Sequence, residues 1–225
     1  MKISGFLLIF PIFCTTVVTP AEDGNIVGGG FYFGSNFTYS GLSGEYFDGD
    51  HFFYSSEEIL LIPKLESSSG FNILAGWRMA GGGVEAGYTG SALDVTFAGL
   101  NGEAKYDLVF VRARAYPFES KNVQPALIFG VNYTWLTVLD ASATYAAPAN
   151  VTDAIYTGPG FEGGLSIDYF ISPNVTLSAG CVFRLLFLIF YEGATGYIYD
   201  YTEMDTVLTA TSVEFNLGFL IGFGE

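Results

Sequence analysis

The chain has 225 residues, half of them hydrophobic, with a mean hydropathy of +0.40 and a net charge of −15 from 8 basic and 23 acidic side chains. That apolar content, with charged residues at only 14% against a usual ~25%, excludes a disordered chain, and the acidic excess excludes nucleic-acid binding through backbone phosphates. Past residue 21 no run of about 18 apolar residues occurs, which excludes a bundle of membrane-spanning helices and leaves a closed β-barrel as the structure able to cross a bilayer.

The first segment reads as an address. Lys2 precedes a nearly continuous apolar stretch from Gly5 to Val18, then the small residues of Thr19-Pro20-Ala21, then the acids Glu22 and Asp23. This pattern predicts a secretory signal peptide over residues 1–21 and a single exported domain over 22–225. Cys14 follows Phe13, where a lipoprotein signal wants a small residue, so acylation is not expected. The exported part keeps one cysteine, Cys181, so the fold is expected to hold without an internal disulfide.

Alternation of period two then recurs along the chain. In the first stretch Val27, Phe31, Phe33 and Phe37 oppose Gly28, Gly30, Tyr32, Gly34 and Asn36. Between 71 and 79, Phe71, Ile73, Ala75, Trp77 and Met79 oppose Asn72, Leu74, Gly76 and Arg78. A Gly81-Gly82 turn leads to Val84, Ala86 and Tyr88 against Glu85, Gly87 and Thr89. Val109, Val111, Ala113 and Ala115 then oppose Phe110, Arg112 and Arg114, and after a short turn at 118–122 Leu127 to Trp135 repeats the pattern. Phe161 to Tyr169 opposes Glu162, Ser166 and Asp168, and Ser172-Pro173-Asn174 turns the chain into Leu177 to Phe187 against Ser178 and Arg184. The last and clearest run, Thr211 to Phe223, opposes Ser212, Glu214, Asn216 and Gly218. Such alternation predicts half-buried antiparallel strands, with spans near ten residues matching a tilted membrane crossing. Long polar connections over 40–68, 90–104, 137–157 and 190–208 alternate with the short turns. Short turns at one end and long loops at the other describe an all-β, up-and-down transmembrane barrel of eight strands. A hairpin from Phe52-Phe53-Tyr54 and Ile59 to Ile62 would raise the count to ten.

Over residues 26–225 this pattern resembles the small OmpA/OmpX-type outer-membrane barrels. The resemblance implies an outer-membrane location in a bacterial envelope.

The faces follow from chemistry. The polar rows are rich in Gly, Ser, Thr and Asn, unlike a solvated surface, and carry a balanced set of charges: Arg78, Arg112, Arg114 and Arg184 with Glu85, Glu162, Asp168 and Glu214. These eight are expected to form structural ion pairs in the lumen. A two-residue turn at Gly81-Gly82 would set Arg78 opposite Glu85, and a three-residue turn centred on Pro173 would set Glu162 opposite Arg184. Trp77, Tyr88, Tyr133, Trp135, Tyr169 and Phe187 are expected to form interfacial girdles on the lipid face. Eight strands leave room for side chains but not for a pore. Leu74, Leu108 and Phe110 offer at most a shallow apolar cup near the loop end.

Catalytic residues are not in evidence. The only histidine, His51, and Ser55, Ser91 and Asp94 are expected on loops opening to one side without the spacing of a triad. Glu45, Asp48 and Asp50 are spaced loosely like oxygen ligands but lack an EF-hand pattern, so no metal site and no cofactor is assigned. The loops are acidic and aromatic, as in Glu45-Tyr46-Phe47-Asp48, Tyr197-Ile198-Tyr199-Asp200-Tyr201 and Glu203-Met204-Asp205. Such loops suit protein or glycan contact at a cell surface. The expected partners are outer-membrane lipid and a surface ligand, with no nucleic acid, in a monomer. The expected function is a non-enzymatic, structural or adhesin-like barrel with a salt-bridged lumen. A narrow transporter for small hydrophobic solutes is the alternative, and a lipid-modifying membrane enzyme the third reading.

Overall fold

The computed structural model describes residues 29–44, 47, 52–54, 59–79, 81–97, 100–118, 122–139, 153–192, 198–200 and 208–223. Residues 1–28, His51, Ser55, Glu45, Asp48, Asp50, and the 193–197 and 201–207 segments of the last loop lie outside them. The described chain forms strands β1 (Gly30–Gly44), β2 (Phe52–Tyr54), β3 (Ile59–Leu61), β4 (Lys64–Met79), β5 (Gly82–Phe97), β6 (Leu100–Ala115), β7 (Val123–Val138), β8 (Ala154–Ser172), β9 (Val175–Leu188), β10 (Phe190–Glu192), β11 (Ile198–Asp200) and β12 (Leu208–Phe223).

Eight of these close a barrel. Each long strand pairs antiparallel with its chain neighbour, and β1 pairs with both β4 and β12 to seal the cylinder. The hairpin suspected between residues 52 and 62 exists, but β2 and β3 pair only with each other and do not enter the wall, so the count stays at eight. β10 and β11 extend the wall upward beside the top of β8.

The register fixes the barrel's shape. From Trp77 the pairs run through Val84, Ala113, Phe129, Gly163, Phe183, Val213 and Gly41, and return to β4 at Ser67, ten residues up the same strand. A stagger of ten over eight strands, with strands ~4.8 Å apart and ~3.4 Å per residue, gives a tilt of about 41° and a radius of about 8 Å. That interior is filled by side chains.

Four local expectations are corrected. The 90–104 segment is not a loop. β5 runs on to Phe97 and β6 restarts at Leu100, with Phe97 opposite Leu100. The main strands are 14–19 residues long, so the barrel is taller than spans of ten residues suggest. The first turn is centred one residue earlier than expected: Met79 faces Gly82, and Gly81 takes the left-handed φ of 78° that the turn needs. Arg78 therefore faces Gly83, and Glu85 faces Gly76 on that side. The second turn places Glu162 opposite Arg184 as expected, but through a two-residue Pro173-Asn174 turn with an irregularity between Phe170 and Ser172.

The two faces exchange chemistry part-way up the wall. Along the short-turn part, Phe31, Phe33, Ile73, Trp77, Phe129, Leu165, Leu217 and Phe219 are exposed while Asn72, Glu85, Arg112 and Glu214 are buried. Above it the logic inverts. Leu42, Leu93, Val95, Tyr106, Leu136, Tyr156, Leu186 and Leu208 point inward and are buried, while Asp94, Glu103 and Lys105 are exposed. On β12 the outward apolar row runs from Val213 to Phe223. Ten residues at that tilt make a belt of about 25 Å, the height expected of a transmembrane barrel's lipid face.

Candidate functional site: a closed lumen of two layers

All four arginines of the chain face the lumen and are buried, whereas Lys64 and Lys105 are exposed. A planar guanidinium satisfies several carboxylate oxygens at once, which suits it to a dry interior better than an ammonium. Arg114 Nε lies 2.8 Å from Glu85 Oε1, and its Nη1 lies 2.8 Å from Asp168 Oδ2. Arg112 Nε donates to Glu85 Oε2 at 2.5 Å. Arg184 Nε donates to Glu162 at 3.0 Å, and its Nη1 and Nη2 grip Glu214 at 2.7 and 3.1 Å. Arg112 Nη1 stands 3.9 Å from Glu162 Oε1 and joins the two halves. The result is one chain of charge: Asp168, Arg114, Glu85, Arg112, Glu162, Arg184, Glu214.

Neutral groups complete it. Tyr32 donates to Glu85 at 2.7 Å, Tyr116 to Asp168 at 2.9 Å and Ser178 to Asp168 at 2.7 Å. Higher up, Asn36 donates to Asn72, Asn72 donates to Thr89, and Ser40 bonds Ser68. Each buried carboxylate therefore has charged donors, the condition under which a buried ion is tolerated.

Of the eight lumen charges expected from sequence, seven meet in this chain. Arg78 does not. Its expected partner Glu85 is taken by Arg112 and Arg114, and the Arg78 guanidinium instead lies 5.1 Å from the centroid of the Tyr32 ring and 4.9 Å from that of Phe170. The physical cause is the displaced turn, which moves Arg78 two residues away from Glu85 in register.

Inward glycines make room for these large groups. A Cβ on Gly76 would stand 2.5 Å from Tyr32 Cζ, one on Gly87 2.5 Å from Phe110 Cζ, and one on Gly130 2.6 Å from Arg112 Cβ. Each glycine vacates space that a neighbouring strand's long side chain fills.

Over the ionic layer sits an apolar one. Leu42, Leu65, Leu93, Val95, Leu136, Leu186 and Leu208 pack with Tyr106 and Tyr156 in a single cluster. Ile62, just before β4, is wholly buried in it, and Phe47 packs its ring 5.9 Å from that of Tyr156. The shallow cup expected from Leu74, Leu108 and Phe110 is corrected twice. The apolar layer is far larger, and Leu74 lies toward the short-turn end, opposite Gly34 of β1. The inversion of faces hid this layer, because much of it, Leu42, Leu65, Leu93, Val95, Tyr156 and Leu208, falls in segments read as loops.

The girdle residues divide between the two rims of the belt. Trp77, opposite Phe31, and Tyr169, opposite Val123, lie at the short-turn rim. Tyr133, Trp135 and Phe187 lie toward the loops, where the Tyr133 and Trp135 rings are 4.9 Å apart and Phe187 packs on Phe161. Tyr88 faces outward and its hydroxyl donates to Asp107, at the upper edge of the apolar row.

Of the residues weighed for catalysis, the two described, Ser91 and Asp94, do not converge. Ser91 and Asp94 are not on a loop but on β5, three positions apart, with Ser91 buried inside and Asp94 exposed outside. Among the described residues no group of three or more His, Cys, Asp or Glu is placed to hold a metal ion.

No protein-family model and no curated sequence matches the chain. Solved structures do resemble it. Neisserial surface protein A aligns over 86% of this chain and 97% of its own at 17% identity, with a TM-score of 0.53. The outer membrane protein OprG from Pseudomonas aeruginosa aligns over 90% and 99% at 14% identity, also with a TM-score of 0.53. A major outer membrane protein from Thermus thermophilus aligns over 86% and 99% at 13% identity, with a TM-score of 0.50. The fold is that of an outer-membrane β-barrel. These likenesses concern the fold alone.

Proposed function

We propose that the protein sits in the outer membrane as a closed, non-enzymatic barrel and acts through its outer surface and loops, in a structural or adhesin-like role. The observation that carries this reading is the filled lumen. An ion entering it would meet the paired charges from Asp168 to Glu214, and a water path would have to cross the apolar layer around Ile62 and Tyr106. A barrel about 8 Å in radius has no room for these layers and a channel besides. The acidic and aromatic loops supply groups suited to a protein or glycan ligand.

A second reading draws on the apolar layer itself. Its lining at the loop end suits a small hydrophobic solute, and a transporter would pass that solute sideways through the wall, since the ionic layer closes the axis. Uptake of a small hydrophobic solute by cells with and without the protein separates the two, since a neutral solute leaving through the wall carries no current. Surface action predicts no steady conductance, no uptake defect on deletion, and loops open to protease on intact cells while the strands stay protected. An uptake defect on deletion that bulky substitutions at Leu108 or Phe110 reproduce would refute the surface reading in favour of transport.

A further inference from the structure

We infer that Arg78 is an oxyanion-binding residue, and that the short-turn mouth of the lumen takes a carboxylate. Arg78 is only 5% exposed, yet its Nε and Nη2 meet no hydrogen-bond partner. Those two nitrogens are not a random pair. They lie on the same side of the guanidinium and carry the parallel N–H bonds that a carboxylate accepts two at a time. These two unpartnered nitrogens are thus the two prongs of one fork.

The surroundings hold that fork in place. Tyr32 arrives from the neighbouring strand β1 and Phe170 from β8 on the opposite wall, and both rings lie within 5.1 Å of the guanidinium carbon. Ring faces attract the cation and restrict its rotation, so little rotamer freedom remains to be lost when an anion docks. The charge balance points the same way. The four lumen acids are occupied by Arg112, Arg114 and Arg184, with Tyr32, Tyr116 and Ser178 taking further oxygens. Arg78 is the cation of the set without a carboxylate. A buried guanidinium with two unpartnered nitrogens is costly, and an oxyanion bound to both lowers that cost.

Arg78 is the last inward residue of β4 before the turn, so the ligand enters from the short-turn side. A carboxylate sets two oxygens in one plane against the parallel N–H pair and carries the single negative charge that balances Arg78. On the outer-membrane reading this mouth opens to the periplasm. Binding itself does not depend on that reading, since the site can be measured in detergent.

The test is to follow the arginine Nε–H resonances of the 15N-labelled, folded protein in micelles. Acetate is titrated at constant ionic strength against chloride, and inorganic phosphate is titrated separately. The chain has four arginines, and Arg78→Lys identifies the signal in question. The expected result is a saturable shift of the Arg78 signal alone with acetate, in roughly the millimolar range for so small a ligand, and none with chloride. Phe170→Leu keeps the fork but removes one ring, and should weaken acetate about five-fold. It also serves if Arg78→Lys fails to fold. No saturable shift, or one confined to another arginine, would overturn the site. A shift with phosphate and not with acetate would overturn the carboxylate assignment.

Discussion

Arg184 is the residue on which the ionic lumen can be tested most sharply. It is wholly buried and bonded to two carboxylates, Glu162 and Glu214. Arg184→Met conserves much of the volume but strands both acids. Breaking a buried pair by removing one partner costs about 3–5 kcal/mol. With two carboxylates left, the upper part of that range is expected, a large fraction of a typical stability of about 5–15 kcal/mol. Glu214→Gln leaves Arg184 its bond to Glu162, and should cost about 1–3 kcal/mol. In the double variant Glu162 is the one acid left in need, and Arg112 stands 3.9 Å from it. The double loss should therefore fall short of the sum by about 1.5 kcal/mol or more. Urea unfolding from lipid vesicles, followed by the fluorescence of Trp77 and Trp135, measures all three. Losses that add within about 0.5 kcal/mol would show that the two side chains do not act on each other, and the ionic lumen would be refuted.

Arg78→Met strands no carboxylate, and it relieves two buried unpartnered nitrogens while giving up the ring contacts, so it should change stability by no more than about 1 kcal/mol in the same assay, clearly less than Arg184→Met. A Cβ on Gly34 would stand 2.4 Å from Leu220 Cδ2 and 3.1 Å from Leu74 Cδ1, all movable side chain, so Gly34→Ala should destabilise by about 1–3 kcal/mol and Leu220→Ala should restore part of the loss. The belt predicts a contrast between two outward residues of β12. Leu217→Arg should raise the folding free energy in vesicles by about 2–4 kcal/mol, and Thr211→Arg, above the belt, by no more than about 1. Trp77 and Trp135, at opposite rims, should both be quenched more by lipids brominated near the headgroup than by those brominated at the chain end, and a deep position for either would break the belt assignment.

The strand count and the faces were legible because a period of two survives any error in placing a turn by whole pairs. Shifting the first turn by one residue slides the register by two. Arg78 and Glu85 therefore stay inward as read, while their partners change. Faces are set by composition, whereas partners are set by turn geometry, which at Met79 to Gly82 depends on a single left-handed residue that three consecutive glycines leave undetermined. Glu162 and Arg184 were placed correctly although the Pro173 turn is one residue shorter than expected, because the irregularity beyond Phe170 compensates the shorter loop. In the same way, the eight lumen charges could all be named, while of the two pairings expected Glu162 with Arg184 held and Arg78 with Glu85 did not.

The apolar layer was illegible for a different reason. A strand that leaves the membrane changes its solvent on both faces. Outside, lipid gives way to water, so Asp94, Glu103 and Lys105 become acceptable. Inside, no long-range charge is needed to hold the walls, so Leu93, Val95 and Tyr106 pack as in a soluble core. Along the sequence the alternation is unbroken, but its phase reverses: in β5 the outward Val84 and Ala86 give way to inward Leu93 and Val95. A reader who expects one phase meets polar residues on the lipid row and infers a loop. The inversion also explains why the barrel needs both layers. Within the belt the outer face gains nothing from leaving lipid for lipid, so cohesion there depends on the backbone ladder and on interior bonds such as Arg184 to Glu214. Above the belt water surrounds the wall, and the hydrophobic effect acts on the interior again. The crossing between the regimes falls between Glu214 and Ala210 on β12 and between Arg112 and Tyr106 on β6, where the ionic layer ends and the apolar layer begins.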